Sequence, residues 1–148
     1  MRVHTTIEAN VRRVVTGSLA VETRGGAFHD ITGPVVRWLR EIEAGEGVTT
    51  AFVRHTTASL VVQENADPEV QDDLIDALSS LAPETVPYRH GEEGLDDMPG
   101  HIKAMICGPS VTLPCSGSPR FGTWQSVYLV EHRAHSRRRE VLLTYLGS

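Results

Sequence analysis

Three histidines and a run of acids carry the chemistry this sequence could do. His55 lies in "RHTTASLVVQEN", residues 54–65, amid residues that otherwise read as a buried strand. His90 and His101 bracket "HGEEGLDDMPGH", which also holds Glu92, Glu93, Asp96 and Asp97. Taken singly, each histidine reads as a surface or satisfied core residue. Grouped, neutral imidazoles and carboxylates suit a divalent metal such as zinc, and oxygen donors suit magnesium. An imidazole titrating near neutral pH is equally a general acid or base. No HExxH and no paired CxxC occurs, so a metal site must assemble in three dimensions. The expected ligands are His55, His90 and His101, with Asp96 or Asp97 orienting one of them from behind. His4, His29, His132 and His135 are expected outside this cluster.

Other stretches are open to two readings. In "FGTWQ", residues 121–125, Gly122 allows close backbone approach, Trp124 offers a flat face and Gln125 a donor and an acceptor. The same residues also read as core and strand edge. "HRAHSRRR", residues 132–139, is either a phosphate-gripping patch or a solvated hairpin tip. Cys107 and Cys115 read as ordinary buried thiols, since nothing nearby marks a thiolate.

The elements that would position these groups follow from pattern. Residues 3–23, rich in Val and Thr, read as one or two strands, and "RGGAFHDI" reads as loop. In "DITGPVVRWLREIEAGEG", Val35, Trp38, Leu39 and Ile42 fall on one helical face. Thr32 or Gly33 would cap that helix, Pro34 fits its first turn and Gly45 would stop it. Residues 48–62 read as strand. A second helix begins with Asp67 as N-cap and Pro68 at N1, and presents Val70, Leu74, Ala77, Leu78 and Leu81 on one side. Residues 83–100 read as a long polar connection, a length that in a compact domain usually carries function. Apolar stretches at 102–107, 110–114 and 124–131 and a strand at 140–146 complete the chain. This order predicts one α+β domain, residues 1–148, with largely antiparallel sheets in a sandwich-like core and two helices.

The 148 residues suffice for one core, and 40% hydrophobic with 22% charged is ordinary for a globular protein. A net charge of -5 argues against a general nucleic-acid binder. No apolar run is long enough for a membrane span, and "MRVHTTIEANVRR" lacks the apolar segment of a secretory signal. With only two cysteines, the expectation is a cytoplasmic, reduced protein with neither nucleic-acid nor membrane partners.

"DIT" (30–32), "HTTAS" (55–59), "NADP.V..D" (65–73), "YRH" (88–90), "DDMPGHIKA" (96–104) and "GTWQ..YL.EHR" (122–133) occur in that order. Together they resemble the YjbQ family, over essentially the whole chain. The resemblance implies an α+β fold, a homotrimer about a threefold axis and a polar cleft lined by the motif residues. It also implies an enzyme of thiamine phosphate synthase type, joining a pyrimidine diphosphate to a thiazole phosphate and releasing pyrophosphate. The alternatives are a metal-dependent, hydrolase-like enzyme and a non-catalytic trimer that binds a small anion. Carried onto this chain, the site draws on His55, Thr56, Thr57, Asn65, Asp67, His90, His101, Gly122, Thr123, Trp124, Gln125 and Glu131. Catalysis would fall to His55, His101 and Asp97, and Arg89 and Lys103 would add positive charge for a phosphorylated substrate. The run Pro119-Arg120-Phe121 departs from the small apolar pair usual before "GTWQ", and Gly100 stands where alanine is common.

Overall fold

The computed structural model describes residues 1–4 and 7–148. Among the described residues, seven strands form two antiparallel sheets. They are β1 (Arg13–Glu22), β2 (Phe28–Asp30), β3 (Glu46–Val53), β4 (Ala58–Glu64), β5 (Ser110–Ser116), β6 (Gln125–Glu131) and β7 (Arg138–Gly147). One sheet has the order β1-β7-β3-β5, the other β2-β6-β4. The helices are α1 (Thr32–Glu41), α2 (Pro68–Leu81) and α3 (Asp97–Cys107).

Alternation along the strands sets which side chains meet. Val141, Leu143 and Tyr145 of β7 and Ala51 and Val53 of β3 point inward, and all five are buried. They join Leu60, Val127 and Leu129 of the smaller sheet and Val35 and Leu39 of α1 in a single core. The α1 face read from sequence is therefore the packed face. Gly17 on β1 makes room for Trp38, whose ring lies 2.6 Å from where a Cβ would stand. β6 is the middle strand of its sheet, and Ser126 to Glu131 are all buried.

The second helix starts as expected, but none of its residues is buried, and Ala77 and Leu81 of the expected apolar side are exposed. Asp67 accepts a hydrogen bond from the Glu69 N–H at 2.9 Å, and Pro68 opens the first turn. The first helix differs at both ends. Ile31 occupies the N-cap position without a side-chain cap, and Asp30 instead accepts from the Thr32 N–H at 2.8 Å. The helix ends at Glu41, and Glu43, not Gly45, turns the chain with φ 51°.

Four sequence readings are corrected. The loop "RGGAFHDI" contains the short strand β2, paired with β6. The polar connection ends at residue 96, and 97–107 is a third helix rather than loop followed by a separate apolar segment. Pro99 is its third residue, where a backbone N–H has no intrahelical acceptor to lose. Residues 48–62 are two strands in different sheets, with residues 54–57 crossing between them. The arginine-rich stretch is likewise no hairpin, since β6 and β7 lie in different sheets and residues 132–137 cross from one to the other.

Candidate functional site

The two crossings meet at one end of the sandwich, and polar groups join them. The His132 N–H donates to the Thr57 carbonyl at 3.2 Å, and the Glu140 N–H donates to His55 Nε2 at 3.0 Å. Arg139, buried, grips Glu131 with two bonds, Nε to Oε2 at 2.7 Å and Nη2 to Oε1 at 2.6 Å. Its Nη2 also donates to Thr57 Oγ1 at 2.9 Å. Glu131 takes two further bonds, from Thr23 Oγ1 at 2.7 Å and the Arg133 N–H at 3.0 Å. Burial opposes ionisation of Glu131, but the bonds from Arg139, the Arg133 N–H and Thr23 outweigh it and hold the carboxyl below its usual range. The buried or half-buried polar groups of "RHTTAS" thus cost little, because His55, Thr57 and Ser59 find partners in Glu140, Arg139 and His132, while Thr56 is exposed.

Above this joint sits α3, tied down by Arg133. Its Nε donates to Asp96 Oδ2 at 3.0 Å, its Nη2 to the Glu93 carbonyl at 2.9 Å, and its Nη1 to Asp97 Oδ1. Burial works against the Asp96 charge, yet the bonds from Arg133 and the Ala134 N–H keep its carboxyl below the usual range. Asp97, 1% exposed, is left with Oδ2 turned toward two imidazoles. His90 Nε2 is 2.7 Å from that oxygen and His101 Nε2 is 3.5 Å from it. His101 follows Asp97 by four residues, so helical geometry puts both on one face. The rings of His90 and His101 meet edge to face, centroids 5.6 Å apart. One ligand atom from each of His90, Asp97 and His101 lies within 4.8 Å of the others.

These three residues fit a divalent cation. Two nitrogens and one carboxylate oxygen converge, and the partly exposed imidazoles leave the outer side open. Of the expected ligands His55, His90 and His101, the structure brings His90 and His101 together with Asp97, and His55 is not part of that convergent group. His55 Nε2 is already occupied by the Glu140 N–H, so the ring proton is on Nδ1. Burial, then the charge of Arg139, push the His55 pKa down, which favours this neutral form. His55 and His101 nevertheless share a cleft of about 760 Å³, bordered also by Arg54, Thr56, Ala104 and Met105.

The remaining candidates fall elsewhere. β4 and β6 pair antiparallel from Ala58 with Glu131 to Glu64 with Gln125. Six residues of strand separate the ends by roughly 20 Å. Asn65, Asp67, Gly122, Thr123, Trp124 and Gln125 belong to the far end, away from Thr57 and Glu131. There Asn65 Nδ2 donates to the Gln125 carbonyl at 3.3 Å, and Gln125 Oε1 accepts from the Gly122 N–H at 2.9 Å. Trp124 is 63% exposed. Arg89 is exposed and makes no side-chain bond among the described residues. Lys103, two residues beyond His101 on α3, faces the other side of that helix and reaches Ser79 of α2. Sequence reasoning missed Arg133 as the anchor of Asp97. Its signal was an arginine beside Glu131 and His132 in a region read as hairpin tip.

Fold and site together define an α+β protein with a histidine–carboxylate cluster beside an open cleft. The chain matches the model of the YjbQ family, described as UPF0047 protein YjbQ-like, over residues 17–148. It is 41% identical over 131 residues to a UPF0047 protein of Synechocystis, covering 87% of this chain and 89% of that one. With the UPF0047 protein YjbQ of Escherichia coli O157:H7 it shares 37% identity over 134 residues, 89% of this chain and 96% of the other. A hypothetical protein from Aeropyrum pernix superposes with TM-score 0.82 at 32% identity, covering 90% of this chain and 99% of that chain. The chain belongs to the YjbQ family. Among the described residues no helix is long and apolar enough to cross a membrane.

Proposed function

We propose that the chain is a metal-dependent enzyme acting on a small phosphorylated molecule, with His90, Asp97 and His101 holding a divalent cation. The observation that carries this reading is the convergence of two imidazole nitrogens and Asp97 Oδ2, with Asp97 Oδ1 anchored on Arg133. Two imidazoles and one carboxylate favour zinc over magnesium. When bound, such a cation polarises a phosphoryl oxygen or activates water. The protein's own part is orientation. Arg133 fixes the rotation of Asp97, and the Asp97 position in turn orders His90 and His101. His55, neutral with its proton on Nδ1, borders the shared cleft, and Thr56 borders it with a hydroxyl. Arg54 at the cleft edge supplies the cation a phosphate needs.

A finer reading is transfer of a pyrimidine group from its diphosphate to a thiazole phosphate. Arg54, which lines the same cleft as His101 and is paired with Glu140 at 3.1 Å, favours it, because a departing diphosphate needs positive charge. A homotrimer in the cytoplasm completes the proposal, with the exposed Trp124 end available to a neighbouring subunit.

The test is metal analysis of protein purified without a histidine tag, followed by turnover assays. Substrates are simple phosphate esters and the paired pyrimidine and thiazole compounds, each with and without chelator. Chelator-sensitive turnover of either class, lost in His101→Ala, supports the reading. No bound metal and no chelator effect on any turnover contradicts it.

A further inference from the structure

A second cavity, about 210 Å³, lies against the opposite side of α3 from His101. Ile75, Leu78 and Ser79 of α2, Lys103 of α3 and His132 line it, with the Gly25–Gly26 turn. Residues two apart on a helix point about 200° apart, so Lys103 and His101 serve different spaces.

Two groups in this cavity have bonding capacity left over. His132 is 6% exposed, and its Nε2 lies 2.8 Å from Ser59 Oγ. Its Nδ1 has no partner among the described residues, and no sealed side-chain nitrogen or oxygen is unpartnered there, so Nδ1 opens onto the cavity. In the tautomer in which the Ser59 hydroxyl donates to Nε2, Nδ1 carries the ring proton and aims it inward, and an anion there selects that tautomer. Lys103 is the only lysine of the chain, and among the described residues its ammonium makes one hydrogen bond, to Ser79 Oγ at 3.4 Å. Burial first, then the Lys103 charge, push the His132 pKa down to about 4, so the ring is neutral at pH 7. Glu131 and Arg133 also border the cavity, but Glu131 is bound to Arg139 and Arg133 to Asp96 and Asp97, which leaves Lys103 as the unpaired charge among them. Glu84 borders the cavity as an exposed side chain, where solvent screens it.

We propose that this cavity is a second binding site, for the oxyanion of a small molecule, a carboxylate or a phosphate. Lys103 Nζ and His132 Nδ1–H grip the anion, the Ser79 hydroxyl assists, and Ile75 and Leu78 cover the carbon part of the ligand. None of these residues belongs to the His90–Asp97–His101 cluster.

The whole chain, with histidines labelled in nitrogen-15, is titrated at pH 7 with inorganic phosphate in one arm and sodium acetate in the other. The His132 ring nitrogens are followed by NMR. A saturable shift in at least one arm is expected, and the arm that saturates identifies the anion. Lys103→Met weakens that binding by roughly tenfold or more, through loss of a charge-assisted bond. Lys103→Arg keeps the charge and restores most of it, and His101→Ala binds as the unmodified protein does. No saturable shift in either arm, or a Lys103→Met protein that titrates unchanged, overturns the proposal. Because the readout is His132 and the control is His101→Ala, such a failure leaves the metal reading standing.

Discussion

Glu131 and Asp97 are both buried carboxylates lying on a buried arginine, and they differ in what each has left over. Glu131 accepts four bonds, two from Arg139 and one each from Thr23 and the Arg133 N–H. Its acceptor capacity is filled by the protein. Asp97 gives one oxygen to Arg133 and turns the other toward His90 and His101. A saturated carboxylate holds a fold together, whereas one with a spare oxygen beside two imidazoles can hold a ligand. The motif "EHR" supplies both arrangements, since Glu131 takes the first and Arg133 builds the second. Glu131 thus ties the two crossings together through Arg139, Thr23 and the Arg133 N–H.

The comparison breaks first at Glu131. Glu131→Ala leaves Arg139 buried without its partner, and the expected loss is about 3–5 kcal/mol. Urea unfolding measures it, with cation binding by the folded fraction unchanged. A loss under about 1 kcal/mol would mean the pair behaves like an exposed one.

Acid should test the same end of the molecule. The His132 pKa, about 4 when folded, lies below its ordinary 6.5. The folded state therefore binds fewer protons between those values, and stability falls as pH drops from about 6.5 toward 4. The expected fall is roughly 3 kcal/mol. The depressed His55 pKa adds a fall of the same sign. Glu131 and Asp96, both held low, keep their contributions until the pH passes below the ordinary carboxylate range. His132→Gln should flatten the profile above pH 4, and an equally steep profile in that variant would assign the effect elsewhere.

At the Asp97 end the effect moves from stability to affinity. His90→Ala should weaken divalent cation binding by more than roughly 100-fold, beyond what loss of an outer partner costs. Its unfolding midpoint should change little, because His90 is half exposed. The smallest effect belongs to neither carboxylate. Asp67→Ala removes the α2 cap and should cost about 1 kcal/mol, read from the melting curve, with cation binding intact.

How much of this was legible in the sequence follows from the range of the interactions. The α2 start was legible because a cap and an N1 proline act within one turn. The apolar face of α1 was legible because Val35 and Leu39 repeat at helical spacing. α3 was not, because Pro99 and Gly100 in its first turn mimic a loop. The pairing of His90 with His101 was legible as a bracketed acidic run. The exclusion of His55 was not, since a backbone N–H 85 residues away in sequence occupies its Nε2. Nor did periodicity show that Asn65 and Trp124 lie a strand's length from Glu131. That follows only from the register of β4 on β6.

The most direct test is a calorimetric zinc titration of untagged protein beside His55→Ala and His101→Ala. The account predicts one site per chain, retained in His55→Ala and lost in His101→Ala. Loss of the site in His55→Ala with retention in His101→Ala would contradict it.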